Sequence, residues 1–168
     1  MRYADGPTVE VETTIAASPE QVWPLVTDIA LPARFSNEFQ GAQWLEEDEP
    51  NEDPTVGDRF LGRNQHPARG AWETVSIVTA CEAPAVFAWA VTDAERPSAS
   101  WRFELNPEGE HTRLRQWAQI GPGPSGLTPA IESRPELEEK IIARRLEELR
   151  TNMAATVAGI KALAEGVG

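Results

Sequence analysis

Val9, Val11, Thr13 and Ile15 alternate with Glu10, Glu12 and Thr14, the two-residue period of a strand with one buried face. Directly after it, Ser18-Pro19-Glu20-Gln21 carries the marks of a helix start: a serine cap, a proline at the first position and a glutamine three residues on. Val22, Trp23, Leu25 and Val26 give that short helix its apolar side. Asp28 to Phe39 contains Pro32 and predicts a second, broken helical turn that leads out through Phe35 and Phe39. From there to Gly121 the alternation predicts a meander of strands over Ala42–Glu46, Asp58–Gln65, Trp72–Glu82, Val86–Thr92, Ser98–Leu105 and Thr112–Ile120. The breaks between them, at Pro54-Thr55-Val56-Gly57, His66-Pro67, Ala83-Pro84, Arg96-Pro97 and Asn106-Pro107-Glu108-Gly109, are turn chemistry. Connections this short imply antiparallel pairing.

After the meander the period changes. Leu137, Ile141, Leu146, Leu149, Met153, Val157, Ile160 and Ala164 recur at helical spacing, with Glu138, Glu139, Arg144, Glu148 and Lys161 assigned to the opposite side. Ser133 with Glu136 predicts a capping box at the start, and Gly166 supplies a stop. A helix from Ser133 to Glu165 would be about 45 Å long, so it needs something broad to lie against. Gly121-Pro122-Gly123-Pro124 and Pro129 predict a flexible lead into it. Residues 1–8 carry no period and predict a flexible arm before a single domain over 9–166.

Composition narrows the class. With 168 residues and no long apolar run, a single core without a membrane span is expected, with no stable membrane insertion. The lone Cys81 and the lack of a signal-peptide pattern point to the cytoplasm. A formal charge of −12 argues against nucleic acid, whose phosphates need clustered Lys and Arg. Glu46, Glu47, Asp48, Glu49, Glu52 and Asp53, among prolines, predict a solvated acidic loop and not a calcium loop.

The element order resembles the START-like, helix-grip superfamily, and within it the bacterial polyketide cyclase/dehydrase-like (SRPBCC) proteins. The resemblance is carried by Ala16-Ala17-Ser18-Pro19-Glu20-Gln21-Val22-Trp23, Val56-Gly57-Asp58-Arg59-Phe60, Trp72-Glu73-Thr74, Pro84 and the final helix, and covers about residues 8–165. It implies an α+β fold in which a curved seven-stranded antiparallel sheet grips the C-terminal helix around an apolar cavity, the usual ligand site of the family. Aromatase/cyclase members place a Tyr after the second short helix and an Arg deep on the strand that here begins at Trp72. The matching positions are Phe39 and Val78, which can neither pass a proton nor polarise a carbonyl.

Strand parity predicts which side chains reach such a cavity. With Arg59, Arg63 and Glu73 outward, Phe60, Gly62, Asn64, Trp72, Thr74 and Ser76 point in. With Arg102, Glu104, Arg113 and Arg115 outward, Trp101, Phe103 and Gln116 point in. Trp89 belongs to the same aromatic set, Phe35 and Phe39 stand near the mouth, and Leu149 and Met153 form the helix side. Aromatic walls with a few polar groups suit a small hydrophobic or aromatic ligand.

Catalytic signals are weak. Of the two histidines, His66 precedes a proline and His111 lies in a turn. No element carries metal-ligand spacing, Gly121-Pro122-Gly123 lacks the amides of a phosphate loop, and no metal or other cofactor is expected. Cys81, on the opposite parity from Ser76 and Val78, reads as a small, partly buried residue without a base. Glu38 is the best single candidate for acid–base work. The expectation is a carrier or sensor, monomeric or homodimeric. A cyclase or dehydratase acting on a polyketide-like substrate is the alternative, and a protein-interaction module finds no exposed apolar patch in its support.

Overall fold

The computed structural model describes residues 1–45, 50 and 53–166; the acidic-loop expectation falls outside them except at Asp53. Seven strands form one antiparallel sheet: β1 Thr8–Ile15, β2 Phe39–Trp44, β3 Arg59–His66, β4 Gly70–Glu82, β5 Val86–Val91, β6 Ala99–Glu108 and β7 His111–Ile120. Their order across the sheet is β1-β7-β6-β5-β4-β3-β2, so every strand after the first pairs with its chain neighbour while β1 closes onto β7. Helix α1, Pro19–Val26, and a 3-10 turn, Leu31–Arg34, fill the long crossing from β1 to β2. Helix α2 spans Thr128–Ser133 and α3 spans Glu138–Ala164. Helix α3 packs along β1 and over the concave face, giving the α+β helix-grip architecture.

Local chemistry accounts for most boundaries. Ser18 Oγ accepts from the Gln21 amide, and the Gln21 side chain accepts from the Ser18 amide at 2.9 Å, so the capping box at α1 forms as the sequence implies. Trp23, Val22 and Val26 turn inward to meet Phe87, Phe103, Leu114, Val157 and Ile160 in the main core. A second cluster joins Val9, Ala118 and Ile120 of the sheet to Leu149 and Met153 of α3.

Several expectations are corrected. The long helix does not begin at Ser133, which ends α2; Pro135–Leu137 is a 3-10 turn and α3 starts at Glu138. The Glu136 carboxylate pairs with Arg134 at 2.6 Å instead of reaching back to a cap, and Pro135 takes up the chain just where the box would have needed a continuous turn. Along α3 the buried stripe runs through Ile142, Leu149, Met153, Thr156, Val157 and Ile160, so Ile142 rather than Ile141 faces the core. Glu138, assigned to the solvated side, is buried because it accepts the Tyr3 amide at 2.7 Å.

That contact also bears on the first eight residues. Instead of trailing as a loose arm, they carry a 3-10 turn, Tyr3–Asp5. The Tyr3 hydroxyl donates to the Gly123 carbonyl at 2.5 Å and pairs with Ser125 Oγ at 2.9 Å. The proline-glycine lead is therefore packed: a Cβ on Gly123 would come within 2.1 Å of the Arg96 carbonyl. The last correction lies in β4, where a register shift between Val78 and Ala80 reverses the side-chain alternation. Cys81 consequently pairs with the fully buried Phe87 and packs on the core, and burial pushes its thiol pKa up.

Candidate functional site

Between the sheet and α3 lies a cavity of about 300 Å³, at the small end of ligand pockets. Cross-strand pairing aligns its walls. Asn64 faces Trp72, Gly62 faces Thr74 and Phe60 faces Ser76 across β3 and β4, while Trp89 faces Trp101 across β5 and β6. Phe103 and Gln116 form the next pair, across β6 and β7. These residues, with Phe39, Leu149 and Met153, all line the cavity. The aromatic rings form a connected wall: Trp89 and Trp101 are stacked with centroids 6.2 Å apart, and Trp89 also meets Phe60 edge-on at 5.8 Å. Trp44 extends the wall behind Phe60 at 5.4 Å, and Trp23 meets Phe87 at 6.5 Å.

Phe35 is the one candidate that the geometry separates from the rest. It is not among the lining residues; its ring rests on α3 at Gly159, where a Cβ would approach it to 2.4 Å, and the Arg34 guanidinium lies over it at 5.5 Å. The sequence locates it beside the second helical turn but does not tell the helix-facing side of that turn from the cavity side.

A charged network closes one side of the cavity. Arg145 donates to both oxygens of Glu38, at 2.5 and 2.6 Å, and to Glu148 at 3.1 Å. His66 Nδ1 accepts from the Ala68 amide at 3.0 Å, so its Nε2–H donates to Glu148 at 3.1 Å. Arg69, in the turn between β3 and β4, stacks over Trp72 with its guanidinium 4.6 Å from the ring centroid. Burial opposes ionisation of Glu148, but the hydrogen bonds from His66 and Arg145 and the charge of Arg145 outweigh it and hold the carboxyl below its ordinary range. Burial likewise works against the Arg145 cation, and Glu38 and Glu148 more than compensate, raising its pKa.

The candidate base Glu38 is thus an anchor: both its oxygens are occupied by one guanidinium. His66 is half-buried and engaged on both ring nitrogens. Donor atoms of Glu38, His66 and Glu148 lie within 4.8 Å of one another, close enough for one divalent ion. Such an ion would have to displace Arg145 and sit beside Arg69, so the arrangement suits guanidinium rather than metal. Arg69 and Arg145 are absent from the sequence-derived set. Arg145 has a readable signal, a charged residue four before Leu149 on the buried stripe; Arg69 has none, because only the packing of a turn against Trp72 brings it in.

The model of the family described as polyketide cyclase / dehydrase and lipid transport matches residues 7–158. A polyketide-cyclase-like protein of Corynebacterium glutamicum, solved in solution, is 32% identical with a TM-score of 0.63, and the match covers 94% of this chain and 91% of that one. An aromatase/cyclase from a Streptomyces species shares the fold at 16% identity and a TM-score of 0.66, covering 96% of this chain and 98% of that one. A START superfamily protein from Mycobacterium smegmatis does so at 17% identity and a TM-score of 0.60, covering 93% and 97%. No curated protein matches the chain. With its capped first helix, its antiparallel sheet and its aromatic cavity closed by the C-terminal helix, the chain belongs to the polyketide cyclase/dehydrase and lipid transport family.

Proposed function

We propose that the chain is a carrier or sensor that encloses one small, largely apolar or aromatic molecule between the sheet and α3. The observation that carries this reading is the connected wall of Phe60, Trp89, Trp101 and Phe103 around a cavity of about 300 Å³. A protein using these rings only as core would close that space, because unfilled volume costs stability. The alternative, a cyclase or dehydratase working by proton transfer, has less support. Glu38 is held by Arg145, His66 is not among the lining residues, and Phe39 and Val78 stand where the resemblance to aromatase/cyclases implies a Tyr and an Arg. The solved aromatase/cyclases resemble this chain in fold, which leaves the reaction open to its own residues.

Gly62 offers the test. A Cβ there would meet Phe39 at 3.4 Å and Thr74 Oγ1 at 3.6 Å, ordinary contacts, so a larger side chain extends into the cavity. Phenylnaphthylamine, a neutral apolar fluorophore, is expected to bind one per chain and quench tryptophan emission. Gly62→Leu is expected to weaken it by roughly tenfold or more, about 1.4 kcal/mol, while the thermal midpoint is retained. Absence of probe binding to the unsubstituted protein would sink the reading.

A further inference from the structure

Among the described residues, two buried side-chain polar atoms have no hydrogen-bond partner, Arg69 Nη2 and Gln116 Oε1, and both residues line the cavity. An unpaired buried polar group is a liability of about 1–3 kcal/mol, more when charged, and native proteins retain few of them. Two in one cavity point to partners supplied by whatever fills it.

Arg69 is an under-compensated cation. Its Nη2 lies 3.5 Å from Glu38 Oε1, within ion-pair range but without the geometry of a hydrogen bond, and Glu38 is already committed to Arg145 through both oxygens. Glu148 is shared between Arg145 and His66. Burial and the like charge of Arg145 push the Arg69 pKa down, against the weaker pull of Glu38 and Glu148. Its plane is fixed on one side by Trp72. Gly126 leaves it room on another, since a Cβ there would come within 2.9 Å of Nη1. A guanidinium stacked on Trp72, with a buried N–H left without a hydrogen-bond partner, is a receptor for an oxyanion.

Gln116 stands elsewhere in the same cavity, 4% exposed, paired across the sheet with Phe103 and Val11. An amide in such apolar company is best completed by a hydroxyl, which both donates and accepts. We infer that the molecule held here is a hydroxylated aromatic acid, its carboxylate on Arg69 and a hydroxyl on Gln116.

This rests on the binding reading above, and the experiment separates the two. Naphthalene, naphthoic acid and naphthol are titrated against the full chain at neutral pH, followed by tryptophan quenching. Naphthalene binding tests the cavity itself. Naphthoate is expected to bind roughly tenfold more tightly than naphthalene, a gain that Arg69→Met removes and Arg69→Lys partly retains. Naphthol is expected to gain severalfold over naphthalene, a gain that Gln116→Leu removes while leaving naphthoate's advantage intact. Loss of either gain in the unsubstituted protein, with naphthalene still bound, overturns the inference and leaves the binding reading standing. Failure of all three to bind overturns both. Retained naphthalene binding in each variant shows that it has folded.

Discussion

The Glu148 carboxylate sits between the Nε2–H of His66 and the Arg145 guanidinium, at 3.1 Å from each. Its pKa in the folded chain is lower than in the unfolded one. The stability it contributes is therefore complete above the ordinary glutamate value, about 4.3, and is lost as pH falls through the lower folded value. Glu12, held down chiefly by its hydrogen bond from Arg113, and Glu165, held down first by the Ala16 amide, act in the same direction. Unfolding midpoints should change little between about pH 6 and about pH 5 and fall as the pH is lowered further towards about 3. Glu148→Gln is expected to lower the midpoint at neutral pH and to reduce the protons taken up on acid unfolding. A slope unchanged by the substitution would mean that the network at the cavity does not depend on this charge.

At the scale of elements, α3 and the crossing between β1 and β2 meet at Gly159 and Phe35. Alanine normally improves a helix interior over glycine by about 1 kcal/mol, but here its methyl would enter the Phe35 ring. Gly159→Ala is expected to cost about 1 kcal/mol or more on its own, and to stabilise by up to about 1 kcal/mol in a Phe35→Ala background. Urea unfolding of the four proteins of this cycle gives the coupling directly, and a gain in both backgrounds would show that the ring does not rest on the helix. The same scale explains what is legible in the sequence. Strands such as Val9–Ile15 announce themselves because alternation is local, and the Ser18–Gln21 cap because four residues suffice. The start of α3 is hidden because Ser133 and Glu136 have the spacing of a cap but different partners. The inward turn of Cys81 is hidden because nothing in the run Ile77-Val78-Thr79-Ala80-Cys81 marks a bulge; it is smooth in pattern yet shifted in register. Arg69 becomes visible only once its turn, Trp72 on β4 and the charged residues of α3 are brought together.

Across the whole molecule, a chain of net charge −12 gathers Arg69 and Arg145 at one side of its cavity, and among the described residues no helix is long and apolar enough to cross a membrane. Its first residues reach that same region. Tyr3 joins the start of β1 to the segment before α2 through Gly123 and Ser125, and to the start of α3 through Glu138. Pro124, Ser125, Gly126 and Leu127, next to the tyrosine's hydroxyl, border the cavity. A ligand entering or leaving past them would feel how firmly that segment is held. The expected consequence is kinetic: in stopped-flow experiments, Tyr3→Phe should raise the association and dissociation rates of a bound probe together, by severalfold, with little change in Kd. Residence time would then be set by a hydroxyl near the N-terminus that touches no part of the ligand.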